Sequence, residues 1–141
     1  MKKIGLIIPC YNEEFRLKTD HIKFLVENSD TSIYLVNDGS TDNTVKQIQN
    51  IVNCFPNRCF LINYQENSGK ANTIFKAIQE IKSQNSYDFI GYFDADFSTP
   101  PQEIIRLLNI CQSSDSQFLF GSRILILNSL IERKTYRHFI G

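Results

Sequence analysis

Lys3–Pro9 reads KIGLIIP, a continuous apolar run of strand length, and its continuation, Cys10-Tyr11-Asn12-Glu13-Glu14, turns abruptly polar. Apolar residues follow one another here instead of alternating with polar ones. A strand of that kind is buried on both faces, which is the habit of parallel sheets covered by helices. The polar continuation then falls at the strand's carboxyl end, where open α/β sheets bind their ligands.

Outward from this stretch the same unit repeats. The spacing predicts a helix over Glu13–Asn28, with Phe15, Ile22, Leu25 and Val26 on its inner face. Ser32–Asn37 (SIYLVN) is a second strand, and Asp42–Phe55 a helix turning Val45, Ile48, Ile51, Val52 and Phe55 inward. Cys59–Tyr64 (CFLINY) is a third strand, followed by a helix over Lys70–Ser83 carrying Ile74, Ala77, Ile78 and Ile81. Tyr87–Phe93 is a fourth strand. After it, Thr99 suits an N-cap, Pro100 the first helical position and Gln102 the closing member of a capping box. Ile104, Ile105, Leu107, Leu108 and Cys111 extend that helix. Gln117–Gly121 (QFLFG) gives a fifth strand and Ile131–Phe139 the start of another helix. Strand–helix alternation of this kind specifies an α/β domain with a mainly parallel sheet and helices on both faces.

The 141 residues suffice for one domain, and 42% apolar content supplies its core. Fifteen basic groups balance fifteen acidic ones, which excludes a polycationic nucleic-acid coat. The balance is uneven along the chain. Residues 122–141 hold Arg123, Arg133, Lys134 and Arg137 against Glu132 alone, leaving 11 basic and 14 acidic groups in the rest. No apolar stretch approaches the roughly 18–20 residues that span a bilayer, and no signal peptide is legible. Cys10, Cys54, Cys59 and Cys111 form no CxxC pair and no metal-ligand spacing, so a reducing cytosol without disulfides or structural zinc is expected.

The polar motifs collect at strand ends. Glu13 and Glu14 suit the first turn of a helix, while Tyr11 offers a flat face to a base or sugar ring. In Asn37-Asp38-Gly39-Ser40-Thr41, Gly39 permits a tight turn and Ser40 or Thr41 can cap the next helix; Asp38 is either an ordinary Asx-turn residue or an acceptor for a base or ribose. Asn67-Ser68-Gly69-Lys70 is either an ordinary helix start or an anion site with Lys70 as its charge, and it lacks the glycine spacing of a P-loop. Asp94-Ala95-Asp96 follows the fourth strand directly. In an extended segment residues i and i+2 share a side, so both carboxylates would reach one hard divalent cation and leave positions open for phosphate oxygens. Arg123 and Arg137 are either a solvated basic face or a bidentate clamp on a phosphate.

Together, IIPCYNEE (Ile7–Glu14), VNDGSTDNT (Val36–Thr44), NSGKA (Asn67–Ala71), DADFSTPP (Asp94–Pro101) and GSR (Gly121–Arg123) resemble family 2 glycosyltransferases of the GT-A, Rossmann-like fold. With the later ERKTYRH (Glu132–His138), the set is most similar to the dolichyl- and polyprenyl-phosphate branch. The resemblance implies an inverting transfer from a nucleotide-diphosphate sugar of the UDP-glucose or GDP-mannose type to a polyprenyl phosphate. It implies that Pro9, Tyr11, Glu13 and Asp38 hold the base and ribose, with Lys70 near the nucleotide and Asp94 by the ribose or metal. Asp96 would bind Mg²⁺ or Mn²⁺ on the diphosphate, and Arg123 and Arg137 would meet the acceptor phosphate. Residues 1–141 then form the nucleotide-sugar-binding part of a longer catalytic domain, incomplete at its C-terminus. The protein would lie in the cytoplasm or at the cytosolic membrane face, with no nucleic-acid partner.

Two features depart from the family pattern. Asn37 stands where many relatives carry a second acid, and no downstream carboxylate serves as general base. A phosphate monoester has its second pKa near 6, so such an acceptor is ionised at neutral pH and needs no base. Transfer to a saccharide hydroxyl, or nucleotide-sugar binding without turnover, are the alternative readings.

Overall fold

The computed structural model describes residues 1–84, 86–115, 117–119 and 121. Strands β1 (Ile4–Cys10), β2 (Ser32–Asp38), β3 (Cys59–Tyr64) and β4 (Phe89–Tyr92) form one parallel sheet in the order β3-β2-β1-β4. Helices α1 (Thr19–Asn28), α2 (Thr44–Cys54), α3 (Lys70–Gln84) and α4 (Pro101–Ser113) follow β1 to β4 in turn. The run that opens the chain is central. β1 pairs with β2 from Gly5–Ser32 to Cys10–Asn37, and with β4 from Ile4–Phe89 to Ile7–Tyr92.

Strand alternation sorts the core into two layers. Ile4, Leu6, Ile8, Ile33 and Leu35 pack on one face with Ile22 and Leu25 of α1, Ile48 and Ile51 of α2, and Ile104 and Leu108 of α4. Ile7, Tyr34, Val36 and Ile62 pack on the other with Ile74, Ala77 and Ile81 of α3. Connection handedness explains the division. The chain steps from β1 to β2 to β3 in one direction, then returns past both to reach β4. A right-handed crossover in that reverse direction lays α3 on the opposite face. The sheet consequently reverses its winding between β1 and β4.

Four local expectations are corrected. α1 begins at Thr19 and not at Glu13, because residues 12–14 are tied to the next loop: their N–H groups donate to Ser40 Oγ, Thr44 Oγ1 and Asp42 Oδ2. One isolated turn follows, with Arg16 and Leu17 N–H both donating to the Glu13 carbonyl, and Phe15 is left 92% exposed instead of inward. Neither Ser40 nor Thr41 caps α2. Asn43 occupies the N-cap position, and Asp42 Oδ1 accepts the Thr44 N–H at 3.0 Å.

Nor does Thr99 cap α4. Pro101 disfavours helical geometry at the residue before it, so Pro100 stays extended (φ −58°, ψ 147°) as the N-cap and its carbonyl receives the Glu103 and Ile104 N–H groups. The predicted fifth strand is likewise absent at residues 117–119 and 121, where Phe118 and Leu119 are exposed and border an apolar groove of about 490 Å³ along β4. A short apolar run becomes a strand only where an edge pairs with it. The predicted helix over Ile131–Phe139 lies outside the described residues.

Candidate functional site

A crevice opens where a doubly wound sheet reverses direction, because the loops leaving the two flanking strands turn to opposite faces. Here that place is the carboxyl edge between β1 and β4. The segments after these strands carry Tyr11 and Glu13, and Asp94 and Asp96, respectively. The segments after β2 and β3 carry Asp38 and Lys70 to the same edge. Among the described residues, the sheet thus gathers all of the predicted site residues at one edge. Arg123 and Arg137 lie outside the described residues.

Asp38, the last residue of β2, is 3% exposed and has its own partners. Its Oδ1 accepts the Ser68 N–H at 2.9 Å and its Oδ2 the Gly69 N–H at 3.1 Å. The protein's own carboxylate therefore takes these N–H groups at the start of α3, where an external anion was one expectation. Burial alone pushes this carboxyl up, but the bonds from Ser68, Thr73 and Gly69 outweigh it and hold it below the ordinary carboxylate value. A group depressed in the folded state contributes stability above its unfolded pKa, near 3.9, and that contribution disappears as pH falls through the folded value. Asp38→Ala is accordingly expected to cost about 1–3 kcal/mol at pH 7, since it leaves the part-buried Ser68 and Gly69 N–H groups without this acceptor. The gap to the parent should close progressively below about pH 4, measured by chemical denaturation at several pH values.

The β1–α1 loop is fastened to the β2–α2 loop. Asn12, in left-handed geometry (φ 52°), donates to Ser40 Oγ at 3.0 Å and accepts the Thr41 N–H at 2.9 Å. Glu14 Oε1 accepts from Asn43 Nδ2 at 2.7 Å. Tyr11, between β1 and these anchors, is 46% exposed. Glu13 points inward. Burial pushes its carboxyl above the ordinary value, Arg16 draws it back, and the negative charges of Asp96 and Asp42 push it up further. Its Oε2 lies 2.7 Å from Arg16 Nε without a well-aligned hydrogen bond.

The Asp94-Ala95-Asp96 segment is a turn and not an extended strand end, as the Phe97 N–H donates to the Asp94 carbonyl at 3.1 Å. The same-side rule for extended residues therefore does not apply to its two carboxylates. Asp94 instead contacts the Lys70 ammonium, which also lies 5.9 Å from the Tyr92 ring centroid. Asp96 Oδ1 accepts the Ser98 N–H at 2.9 Å.

Two residues not singled out from the sequence shape the site, Phe97 in this turn and Asn12 in the β1–α1 loop. Phe97 is buried at φ 52°, an outlier for a bulky side chain, and its ring meets His21 at 4.9 Å and Phe93 at 5.3 Å between centroids. Strained backbone of this kind persists where surrounding packing over-determines it. Asn12 had a readable signal, since Asn tolerates left-handed geometry; Phe97 had none.

The donor set fits a magnesium-like cation. Among the described residues no three His, Cys, Asp or Glu side chains converge as a closed metal cage. Mg²⁺ is commonly held by one or two carboxylates together with substrate phosphates, and Asp94 and Asp96 are carboxylates of that kind on one turn. A cation would also relieve the repulsion between Glu13 and Asp96.

A separate cavity of about 390 Å³ lies at the opposite, amino-end edge, lined by Lys3, Asp30, Ser32, Arg58 and Tyr87 among others. Arg58 there is spent on the Ser29 and Thr31 carbonyls. The strand ends at the sheet reversal are the better-founded site. Among the described residues no helix is long and apolar enough to cross a membrane.

Comparison with known proteins gives three kinds of match. The family model for glycosyl transferase family 2 matches residues 6–139. An uncharacterised protein of Methanocaldococcus jannaschii is 33% identical over 119 residues, covering 83% of this chain and 50% of its own length. An undecaprenyl-phosphate 4-deoxy-4-formamido-L-arabinose transferase of Yersinia pestis is 30% identical over 118 residues, covering 79% of this chain and 34% of its own. The chain thus spans between a third and a half of these relatives. Among solved structures, a mannosyltransferase of Pyrobaculum calidifontis in complex with GDP-Man and Mn²⁺ superposes with a TM-score of 0.61 at 18% identity, covering 76% of this chain and 31% of its own.

Proposed function

The chain belongs to glycosyl transferase family 2 and has the family's GT-A fold; from that premise we propose that it forms the donor-binding part of a polyprenyl-phosphate glycosyltransferase. The observation that carries this reading is that Lys70 contacts Asp94 and Glu13 feels the charge of Asp96, which brings the segments after β1, β3 and β4 together at the carboxyl edge of the sheet. The undecaprenyl-phosphate transferases among the relatives support the acceptor class, and the Mn²⁺ and GDP-Man of the structural neighbour support the donor class.

The donor is a nucleotide-diphosphate sugar of the UDP-glucose or GDP-mannose type. Tyr11 presents a flat face to the base or sugar ring, and Pro9, Glu13 and Asp38 border the nucleoside. Because Asp38 is 3% exposed and its oxygens already receive the Ser68 and Gly69 N–H groups and the Ser68 hydroxyl, Asp38 acts by fixing the loop that borders the nucleoside. Asp94 and Asp96 would hold Mg²⁺ or Mn²⁺, which when bound neutralises charge on the leaving diphosphate. Lys70 adds a second positive charge beside it.

In an inverting transfer, an oxygen of the acceptor phosphate forms a bond to the anomeric carbon. The bond from that carbon to the diphosphate oxygen breaks, and its electron pair leaves on the nucleoside diphosphate. The acceptor is already ionised at neutral pH, so no general base is required. Arg123 and Arg137 complete the reading as the clamp on the acceptor phosphate. The setting is the cytosolic face of a membrane, where such acceptors present their phosphates.

The test uses the full-length protein containing this chain, with radiolabelled UDP-glucose or GDP-mannose, undecaprenyl phosphate and Mn²⁺. The expected result is label in the lipid-phosphate product. Label only in a saccharide product, or bound nucleotide without turnover, would contradict the acceptor assignment.

A further inference from the structure

Lys70 occupies a position that helix stability does not explain. It is the first residue of α3, where the helix dipole favours an anion and disfavours a cation. The N–H groups just before it are already taken by Asp38. What holds the Lys70 ammonium is the carboxylate of Asp94, twenty-four residues away across the crevice, with the Tyr92 ring beside it. Both partners are about half exposed, so the pair is accessible to ligands.

We propose that Lys70 is a built-in counter-ion that takes the cation's place on Asp94 until a nucleoside diphosphate draws it away. This rests on the donor-site reading above and adds a rule of assembly to it. With Lys70 on Asp94, a divalent cation meets a carboxylate pair that is already half neutralised. A diphosphate offers Lys70 a stronger anion than Asp94, and Asp94 is released towards the metal. Each ligand thereby opens the other's partner, so metal and nucleotide bind with positive coupling, and the coupling is reciprocal. Metal alone is held weakly, which keeps the site from filling before the donor arrives.

The test is Mn²⁺ affinity without any nucleotide, read from the free-Mn²⁺ paramagnetic resonance signal, for the parent, Lys70→Met and Lys70→Gln. Exposed ion pairs are worth about 0.2–1 kcal/mol, so both variants should bind Mn²⁺ roughly 1.5- to 5-fold more tightly than the parent. Damage to the fold does not produce a gain in binding. With saturating UDP or GDP, the factor by which nucleotide strengthens Mn²⁺ binding should shrink in both variants. Unchanged or weaker nucleotide-free Mn²⁺ binding in both variants overturns the counter-ion role while leaving the donor site standing, provided the parent binds Mn²⁺ and nucleotide together. A parent that binds neither UDP nor GDP with Mn²⁺ refutes the donor-site reading itself.

Discussion

Gly39→Ala is expected to destabilise the protein by about 2–5 kcal/mol, by far the largest effect of adding a single methyl group at this edge of the sheet. Two costs combine. Gly39 has φ +68°, and left-handed geometry costs an ordinary residue roughly 1–2 kcal/mol. A Cβ there would also lie 2.5 Å from the Asn67 nitrogen and 2.6 Å from the Glu66 carbonyl carbon. Both obstacles are backbone, so no side chain can swing aside, and overpacking of this kind costs about 1–3 kcal/mol. Gly39 also donates its N–H to the Tyr64 carbonyl at 3.0 Å, which locks the β2 and β3 exits together.

Gly69 supplies the control. It has φ +83°, yet its Cβ would meet nothing within 4 Å, so Gly69→Ala should show only the conformational cost of roughly 1–2 kcal/mol. Urea denaturation of the two variants separates these terms. Equal losses would show that the approach of residues 66 and 67 to Gly39 is not as close as described.

The second large effect is on binding. Asp96→Asn should weaken metal-dependent nucleotide binding by about 10- to 100-fold, the loss commonly seen even when a supporting group of a metal site is removed. Asparagine keeps the Oδ1 acceptor that receives the Ser98 N–H, so the turn and the thermal stability should stay near the parent's. Calorimetry with UDP and GDP, with and without Mn²⁺, reads the effect directly. Undiminished Mn²⁺-dependent binding in a folded Asp96→Asn variant would remove Asp96 from the metal site.

The sheet was legible because its strands are written in unbroken apolar letters. Continuous burial of Ile4, Leu6, Ile7 and Ile8 leaves no polar face to place, and helices fitted at 3.6-residue spacing recover α2 and α3 to within two residues at each end. The start of α1 was not legible. Glu13 and Phe15 fit a helical period, but hydroxyl and carboxylate groups from residues 40–44 claim the N–H groups there, and such long-range bonds leave no local pattern. The same limit applies at Asp94–Asp96. Its carboxylates could be placed at a strand end from sequence, whereas the turn depends on the αL geometry of Phe97 and its packing on His21 and Phe93. Asp38 shows a different limit: its residue type suited a ribose partner, and only the fold reveals that the start of α3 reaches it first.

Amide chemical-shift mapping with UDP and GDP in the presence of diamagnetic Mg²⁺ tests the central claim most directly. Shifts should concentrate after the strands, at Tyr11–Glu14, Asp38–Thr41, Asn67–Lys70 and Asp94–Ser98, and should fade when Mg²⁺ is removed. Shifts confined to the opposite edge around Lys3, Asp30, Arg58 and Tyr87, or the same pattern with and without Mg²⁺, would contradict a metal-dependent donor site at the β1/β4 crevice.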